Sequence, residues 1–472
     1  MTVKIGRRGL LIGAAAALTL PGGARAEAPP QIKVVSRTLD VLGKPAKVFG
    51  IAGPGGKPGV DMVLGERFKF NLVNQSGEAT LIHWHGLKPP IEQDGVPGLS
   101  RAVLADGAAQ TYDFANTRAG THWMHSHVGL QEQRLMAAPL IVHETAEPVF
   151  DEQEHVVMLH DFSFRDPADI LAELRAGGGA HGGHAGMDNM DQSKMTMDMS
   201  AAMLNDVVFD AYLCNDRTLD DPEIVAVDKG GIVRLRIVNG AAASNMWIDL
   251  GLLEGELIAV DGNAIYPRRG SLFPLAIAQR ADIRLQVPKD GGAFPVLFRP
   301  EGVTQRTGLV LATPGAAIGR MAGLTEAAAP ALDLAFETDL KAVGKLADEP
   351  LTRTETLMLT GGGADYSWGL NGKSSMHDTL FTVRPGERIA VIIHNMTAMA
   401  HPMHLHGHYF KVVAVGDKRI DGALRDTILV PPTQRVTIEF DADNPGSWAF
   451  HCHHIYHMNA GMMGVMSYMS AA

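Results

Sequence analysis

Three stretches of the chain repeat one ten-residue template: GERFKFNLVN (65–74), GGIVRLRIVN (230–239) and GERIAVIIHN (386–395). Each opens on glycine, places apolar residues at its fourth, sixth and eighth positions, and closes on asparagine. Alternation at period two describes a strand with one face on a core and the other toward solvent. The starts lie 165 and 156 residues apart, one domain each. Such a pattern confines the chain to repeated β domains, and its 52 glycines and 26 prolines supply turns between short strands.

The outer copies match further. HWHG (83–86) parallels HLHG (404–407), and FANTRAGTHWMHSH (114–127) parallels FDADNPGSWAFHCH (440–453), with both histidines in register. The middle copy carries no such histidines. Three related β-sandwich domains are therefore expected, at 27–148, 149–325 and 326–472, with a metal site kept by the first and last. Within the middle one, PADILAELRA (167–176) predicts a short helix, followed by a glycine- and methionine-rich loop over 177–203.

Four H-x-H units stand out: His83/His85, His125/His127, His404/His406 and His451/His453. On a strand, residues i and i+2 share a face, so each unit presents two imidazoles side by side. Eight of them suit a cluster of several transition-metal ions, although imidazole alone does not choose among copper, zinc, iron and nickel. In HCH (451–453) the alternation sends Cys452 to the opposite face, where its thiolate serves a separate metal. His457 and Met462 follow it and His401 precedes His404, giving two histidines, a thiolate and a weak thioether axis. That is the ligand set of a blue-copper electron-transfer centre, and it selects copper. An electron arriving at Cys452 passes through that residue's backbone to His451 and His453. The other cysteine, Cys214, reads as a buried thiol, and His122, His408 and His454 as supporting residues.

HWHG, HSH, HPMHLH and HCHHIYHMNAGM resemble the four copper motifs of the multicopper oxidases, the group that contains laccases and bacterial copper-tolerance oxidases. The resemblance runs over essentially the whole chain beyond residue 26. It implies an all-β fold of three cupredoxin-like Greek-key β-barrel or sandwich domains, and four copper ions. Type 1 copper would take His401, Cys452, His457 and axial Met462; type 2 copper, His83 and His404. The type 3 pair would take His85, His125, His127, His406, His451 and His453. The implied reaction is four one-electron oxidations at type 1 copper coupled to reduction of O2 to water at the trinuclear cluster. By the same resemblance, Asp94 would be a proton donor near the cluster and Asp426 a substrate-side acid near type 1 copper. Many copper-efflux oxidases carry a further acid directly after the type 1 histidine, where this chain has Met458.

Substrate is read from the loop. Met187, Met190, Met195, Met197, Met199 and Met203 are soft thioether donors that favour Cu(I), and His181 and His184 could add to them. Oxidation of Cu(I) for copper tolerance is the leading expectation. A laccase-like oxidase of phenols or amines is one alternative; a copper-sequestering protein with secondary oxidase activity is another. The N-terminus reads as an address: a basic start with Arg7-Arg8, an apolar run over 10–20, and an A-x-A-like end at 24–26. The Arg pair suggests twin-arginine rather than Sec export, to the periplasm, with no membrane span. Cleavage after Ala26 removes four cations and no acid from a chain of formal charge −11, leaving −15. So acidic a surface repels polyanions and excludes nucleic acid as a partner. O2 and a one-electron reductant, Cu(I) or a phenol, are the expected partners.

Overall fold

The computed structural model describes residues 28–145, 151–177, 204–347 and 349–469. The signal segment and the six loop methionines, with His181 and His184, lie outside the described residues. The fold is all-β, and the strands of the described residues form six sheets, two for each copy of the repeat.

The repeated template is the centre of each copy. Its strands are Arg67–Gln75, Ile232–Asn239 and Arg388–Asn395. Each is flanked on one side by a parallel strand (Gln31–Val41, Glu152–Phe162, Leu351–Gly361) and on the other by an antiparallel one (Ala109–Ala115, Arg280–Gln286, Arg435–Asp441). The alternating apolar residues fill the cores, with Phe68, Leu72, Leu235, Ile237, Ile389 and Val391 fully buried. The closing asparagine does the same work three times. Asn74 Nδ2 donates to the carbonyls of Glu78 (2.7 Å) and Leu104 (2.9 Å). Asn239 Nδ2 donates to Ser244 (3.0 Å) and Leu275 (3.1 Å), and Asn395 Nδ2 to Met399 (2.7 Å) and Val430 (2.9 Å). Each Oδ1 accepts from the backbone amide two residues on. A buried amide with these bonds met ties the strand's end to the loop that follows.

That loop delivers the histidines. Ile82–His83 pairs antiparallel with Gly120–Ser126, setting His83 opposite His125. His401–Leu405 pairs with Ser447–Cys452, setting His404 opposite His451 and Met403 opposite Cys452. The glycine closing each H-x-H-G unit has a positive φ, +92° at Gly86 and +65° at Gly407. A Cβ there would lie 2.4 Å from the His122 ring or the Trp448 ring, so side chain and backbone both demand glycine.

Helix is sparse. Pro167–Arg175 is capped by Asp166, whose carboxylate accepts from Ala168 N at 2.8 Å, and proline occupies its first turn. Ile455–Asn459 is a single turn carrying His457. After it the chain returns: His457 O accepts from Met462 N (3.0 Å), and Met462 O from Cys452 N (3.1 Å). The backbones of three expected ligands are thus locked together. Among the described residues, no helix is long and apolar enough to cross a membrane.

Candidate metal centres

Two groups of buried ligand atoms converge. The smaller is built on Cys452, whose Sγ lies 3.5 Å from His401 Nδ1 and 3.7 Å from His457 Nδ1; the two nitrogens are 3.1 Å apart. Met462 is fully buried beside them in sequence and backbone bonding. Burial pushes the Cys452 thiol upward and His401 well below the usual imidazole value, and it lowers His457 to about 4. The imidazoles therefore offer lone pairs, while the thiol needs a cation to ionise.

The larger group holds eight imidazoles. Two sets of Nε2 atoms meet: His451 lies 3.0 Å from His406 and 3.4 Å from His127, and His125 lies 3.4 Å from His453. Desolvation lowers His85, His125, His127, His404, His406 and His453 well below the ordinary range and His451 to about 3. Neutral imidazoles facing nitrogen to nitrogen leave lone pairs opposed, which a metal ion relieves. Three more nitrogens are buried without a hydrogen-bond partner: His83 Nε2, His404 Nε2 and His85 Nδ1. The donor set fits copper by count, by neutrality and by these unsatisfied atoms.

Carboxylates and carbonyls orient the rings with near two-fold symmetry between the first and third domains. His83 Nδ1–H donates to the carbonyl of Asp94 (2.9 Å), and His404 Nδ1–H to the carbonyl of Asp426 (2.8 Å). The Asp94 carboxylate accepts from His406 Nδ1 (2.8 Å), and the Asp426 carboxylate from His85 Nε2 (3.0 Å). Each aspartate thus holds one imidazole of either domain and fixes which nitrogen faces inward. Arg280, from the middle domain, pairs its guanidinium with both Asp426 oxygens, 2.7 Å at Nη1.

Asp94 therefore sits against the cluster. Asp426 does not lie where the sequence suggested. It was expected on the substrate side of the Cys452 site, but it is buried at the cluster. Strand Thr427–Val430 runs antiparallel to His401–Leu405, with Val430 opposite His401 and Thr427 opposite His404. Residue 426 is thereby at the cluster end of the strand.

The acid at the thiol site is Asp206. Its carboxylate accepts from His457 Nε2 (3.2 Å) and from Tyr366 OH, and lies 3.2 Å from His454 Nε2. His454 stacks on His457 with ring centroids 3.8 Å apart, and the Trp368 ring lies tilted against His457 at 4.1 Å. Burial alone would raise the Asp206 carboxyl; the charge of His454 and the bonds from both imidazoles hold it well below its ordinary value. A second acid the sequence reading missed is Glu132, 2.8 Å from His125 Nδ1 and raised by burial. Asp206 carried one signal, its place three residues after Met203; Glu132 carried none beyond its closeness to His127. Cys214 is buried and unpaired, as read.

Family models described as multicopper oxidase match residues 33–147 and 348–471, together about half of the chain. The chain is 27% identical to "Multicopper oxidase MmcO" of Mycobacterium tuberculosis, covering 97% of this chain and 92% of that protein. It is 24% identical to "Copper resistance protein A" of Escherichia coli (84% and 85% covered) and 25% identical to "Laccase-1" of Botryotinia fuckeliana (90% and 79%). Among solved structures, Fet3p, "a Multicopper Oxidase that Functions in Iron Import", superposes with a TM-score of 0.76 at 18% identity, covering 93% of this chain and 90% of that one.

Proposed function

The chain belongs to the multicopper oxidases, and on that premise we propose that it oxidises Cu(I), with the Asp206 side of the Cys452 site as the place where the reductant's electron enters. His401, Cys452, His457 and axial Met462 would hold type 1 copper, His83 and His404 type 2, and His85, His125, His127, His406, His451 and His453 the type 3 pair. Copper at these sites supplies one-electron acceptance beside Cys452 and reduction of O2 to water at the cluster.

The chain's own residues do the rest. Cys452 ends the strand Ser447–Cys452 and is bonded in sequence to His451 before it and His453 after it, so a covalent path joins the two centres. Thr397 Oγ1, 2.7 Å from His401 Nε2, and Asp206, on His457 Nε2, point both Nδ1 atoms at the thiol. Trp368, His454 and Tyr366 exclude water from the same side. Asp94, buried between His83 and His406, would hold a proton at its carboxylate for transfer toward reduced oxygen.

The observation that carries the substrate reading is Asp206. It binds the imidazole expected to receive the electron, and the chain reaches it directly from the methionine-rich segment. A carboxylate and thioethers together make a donor set for a copper ion, with the soft sulfur favouring Cu(I). The names of the copper-resistance relatives agree with this reading. The N-terminal 26 residues support export by the twin-arginine or Sec route and a periplasmic site of action. O2 uptake with Cu(I) and with 2,6-dimethoxyphenol, with and without residues 181–203, tests the proposal. Cu(I) oxidation is expected to exceed phenol oxidation and to lose efficiency without the segment. Phenol oxidation that persists or rises while Cu(I) is poorly used would establish the laccase-like reading instead.

A further inference from the structure

Three buried carboxylates touch the eight-imidazole cluster, and two of them, Asp94 and Asp426, mirror each other across it. Glu132 is the third and has no mirror image. It sits five residues beyond His127, and the matched place five residues beyond His453 is Met458. The cluster is therefore symmetric in its aspartates and lopsided in its third acid.

Glu132 is held in place from both sides. It lies in the 3-10 turn Glu132–Arg134, closed by Leu135 in the left-handed region (φ +63°) with its amide bonded to Glu132 O. Gln131 Oε1 accepts from Thr80 Oγ1 (2.8 Å) and Ser126 Oγ (2.7 Å) within the first domain. Gln133 Nε2 donates to the carbonyl and carboxylate of Asp161 (3.2 and 3.1 Å) in the middle domain. Between these anchors the Glu132 side chain is 3% exposed. Oε2 lies 2.8 Å from His125 Nδ1, and Oε1 lies 3.7 Å from His453 Nδ1. Both Oε1 and that Nδ1 are buried without a hydrogen-bond partner, whereas His125 Nδ1 also lies 3.1 Å from the Ser126 carbonyl. His125 comes from the first domain and His453 from the third, and their Nε2 atoms face each other at 3.4 Å.

We infer that Glu132 is a positioning residue of the oxygen-reducing cluster: its carboxylate holds His125 and His453, one from each outer domain, with Nδ1 outward and Nε2 toward a shared metal. The inference rests on the reading that these histidines hold copper. Loss of such an outer carboxylate costs about 10–100-fold in metal affinity or activity.

The test uses the copper-loaded full chain with Glu132→Leu, Glu132→Asp and Glu132→Gln, scored by copper ions per chain, by the visible absorption of the Cys452 centre, and by the cluster's electron paramagnetic resonance. Gln keeps an acceptor at the same reach; Leu removes it; Asp withdraws it by one methylene. Leu and Asp are expected to lose cluster copper to a chelator about 10–100-fold more readily than the parent while the Cys452 absorption stays. Gln is expected to keep copper content and turnover within about threefold of the parent, well inside that range. If Leu, or Asp where Leu does not fold, keeps full copper and an unchanged resonance signal, the inference is overturned. Equal loss with Gln would overturn it too, since reach and acceptor would then not be what matters. The parent separates the two readings: if it fails to bind cluster copper, the ligand assignment itself falls.

Discussion

The five-stranded sheets of the middle and third domains have the same plan and opposite contents. Both begin with a parallel pair, Glu223–Ala226 with Thr307–Ala312 and Thr379–Val383 with Met463–Tyr468, and continue through antiparallel strands in the same order. Where the third domain sets His404 opposite His451 and Met403 opposite Cys452, the middle domain sets Ile248 opposite Phe298 and Met246 opposite Pro300. All of these positions are buried, and Ile248, Phe298 and Met246 are fully so. The fold thus stands without metal. In one sheet a face of the core is stabilised by apolar burial; in the other it consists of desolvated imidazoles whose cost coordination must offset.

The comparison breaks most sharply at Cys452. Cys452→Ser is expected to abolish the visible absorption and reduce oxidase turnover by more than about 100-fold, the upper end for changes merely adjacent to a metal ligand. Thermal unfolding of the metal-free protein should barely move. A turnover loss without loss of absorption would mean that the thiol is not the electron's path.

Acid is the next separator. Nine of the ten expected histidine ligands have imidazoles depressed by burial, so the unfolded chain takes up protons first as pH falls. Their stabilising contribution is whole above the unfolded value near 6.5 and is lost as pH drops toward the folded values, about 4 at His457 and about 3 at His451. Each buried neutral imidazole contributes a slope of about 1.4 kcal/mol per pH unit in that window. Metal-free protein should therefore melt several degrees lower at pH 5 than at pH 7, read by calorimetry. A melting temperature flat over that range would contradict the burial of neutral rings.

Phe298→Ala in the middle sheet should cost about 3–5 kcal/mol of stability, measured by denaturant unfolding, with copper content and absorption unchanged. Copper loss in that variant would show the middle sheet to be part of the metal-holding structure. The finest test uses the repeated asparagine. Asn239→Ala and Asn395→Ala should each cost about 1–3 kcal/mol for the buried carbonyls left unpaired. Only Asn395 also accepts from Thr397 Oγ1 (2.8 Å), which in turn meets His401, so only its loss should shift the Cys452-centre absorption.

Those asparagines show what the sequence makes legible. A residue whose role is local, such as a strand end, an H-x-H pair or the Asp166 cap, leaves its mark at fixed spacing. Residues that act by tertiary placement leave none. Asp426 read as a neighbour of the Cys452 site because it lies upstream of that motif, yet pairing with His401–Leu405 decides which centre each end of the strand serves, four residues apart. Asp206 reaches His457 from the middle domain across 251 residues of chain, and Glu132 reaches His453 of the third domain from the first; neither local segment announces which histidine it will meet. The repeat predicted the sheets; it could not predict which acids would cross between them.

The cross-domain carboxylates carry a consequence for descent. Asp94 belongs to the first domain and holds His406 of the third; Asp426 belongs to the third and holds His85 of the first. A gene segment encoding either outer domain alone would carry one imidazole, His85 or His406, without the carboxylate that aims it. Recombination that exchanges one outer domain must then bring a partner whose acid and histidine positions match, whereas the middle domain's five-stranded sheet can drift under packing constraints only. The oxygen-reducing centre is passed on as a matched pair.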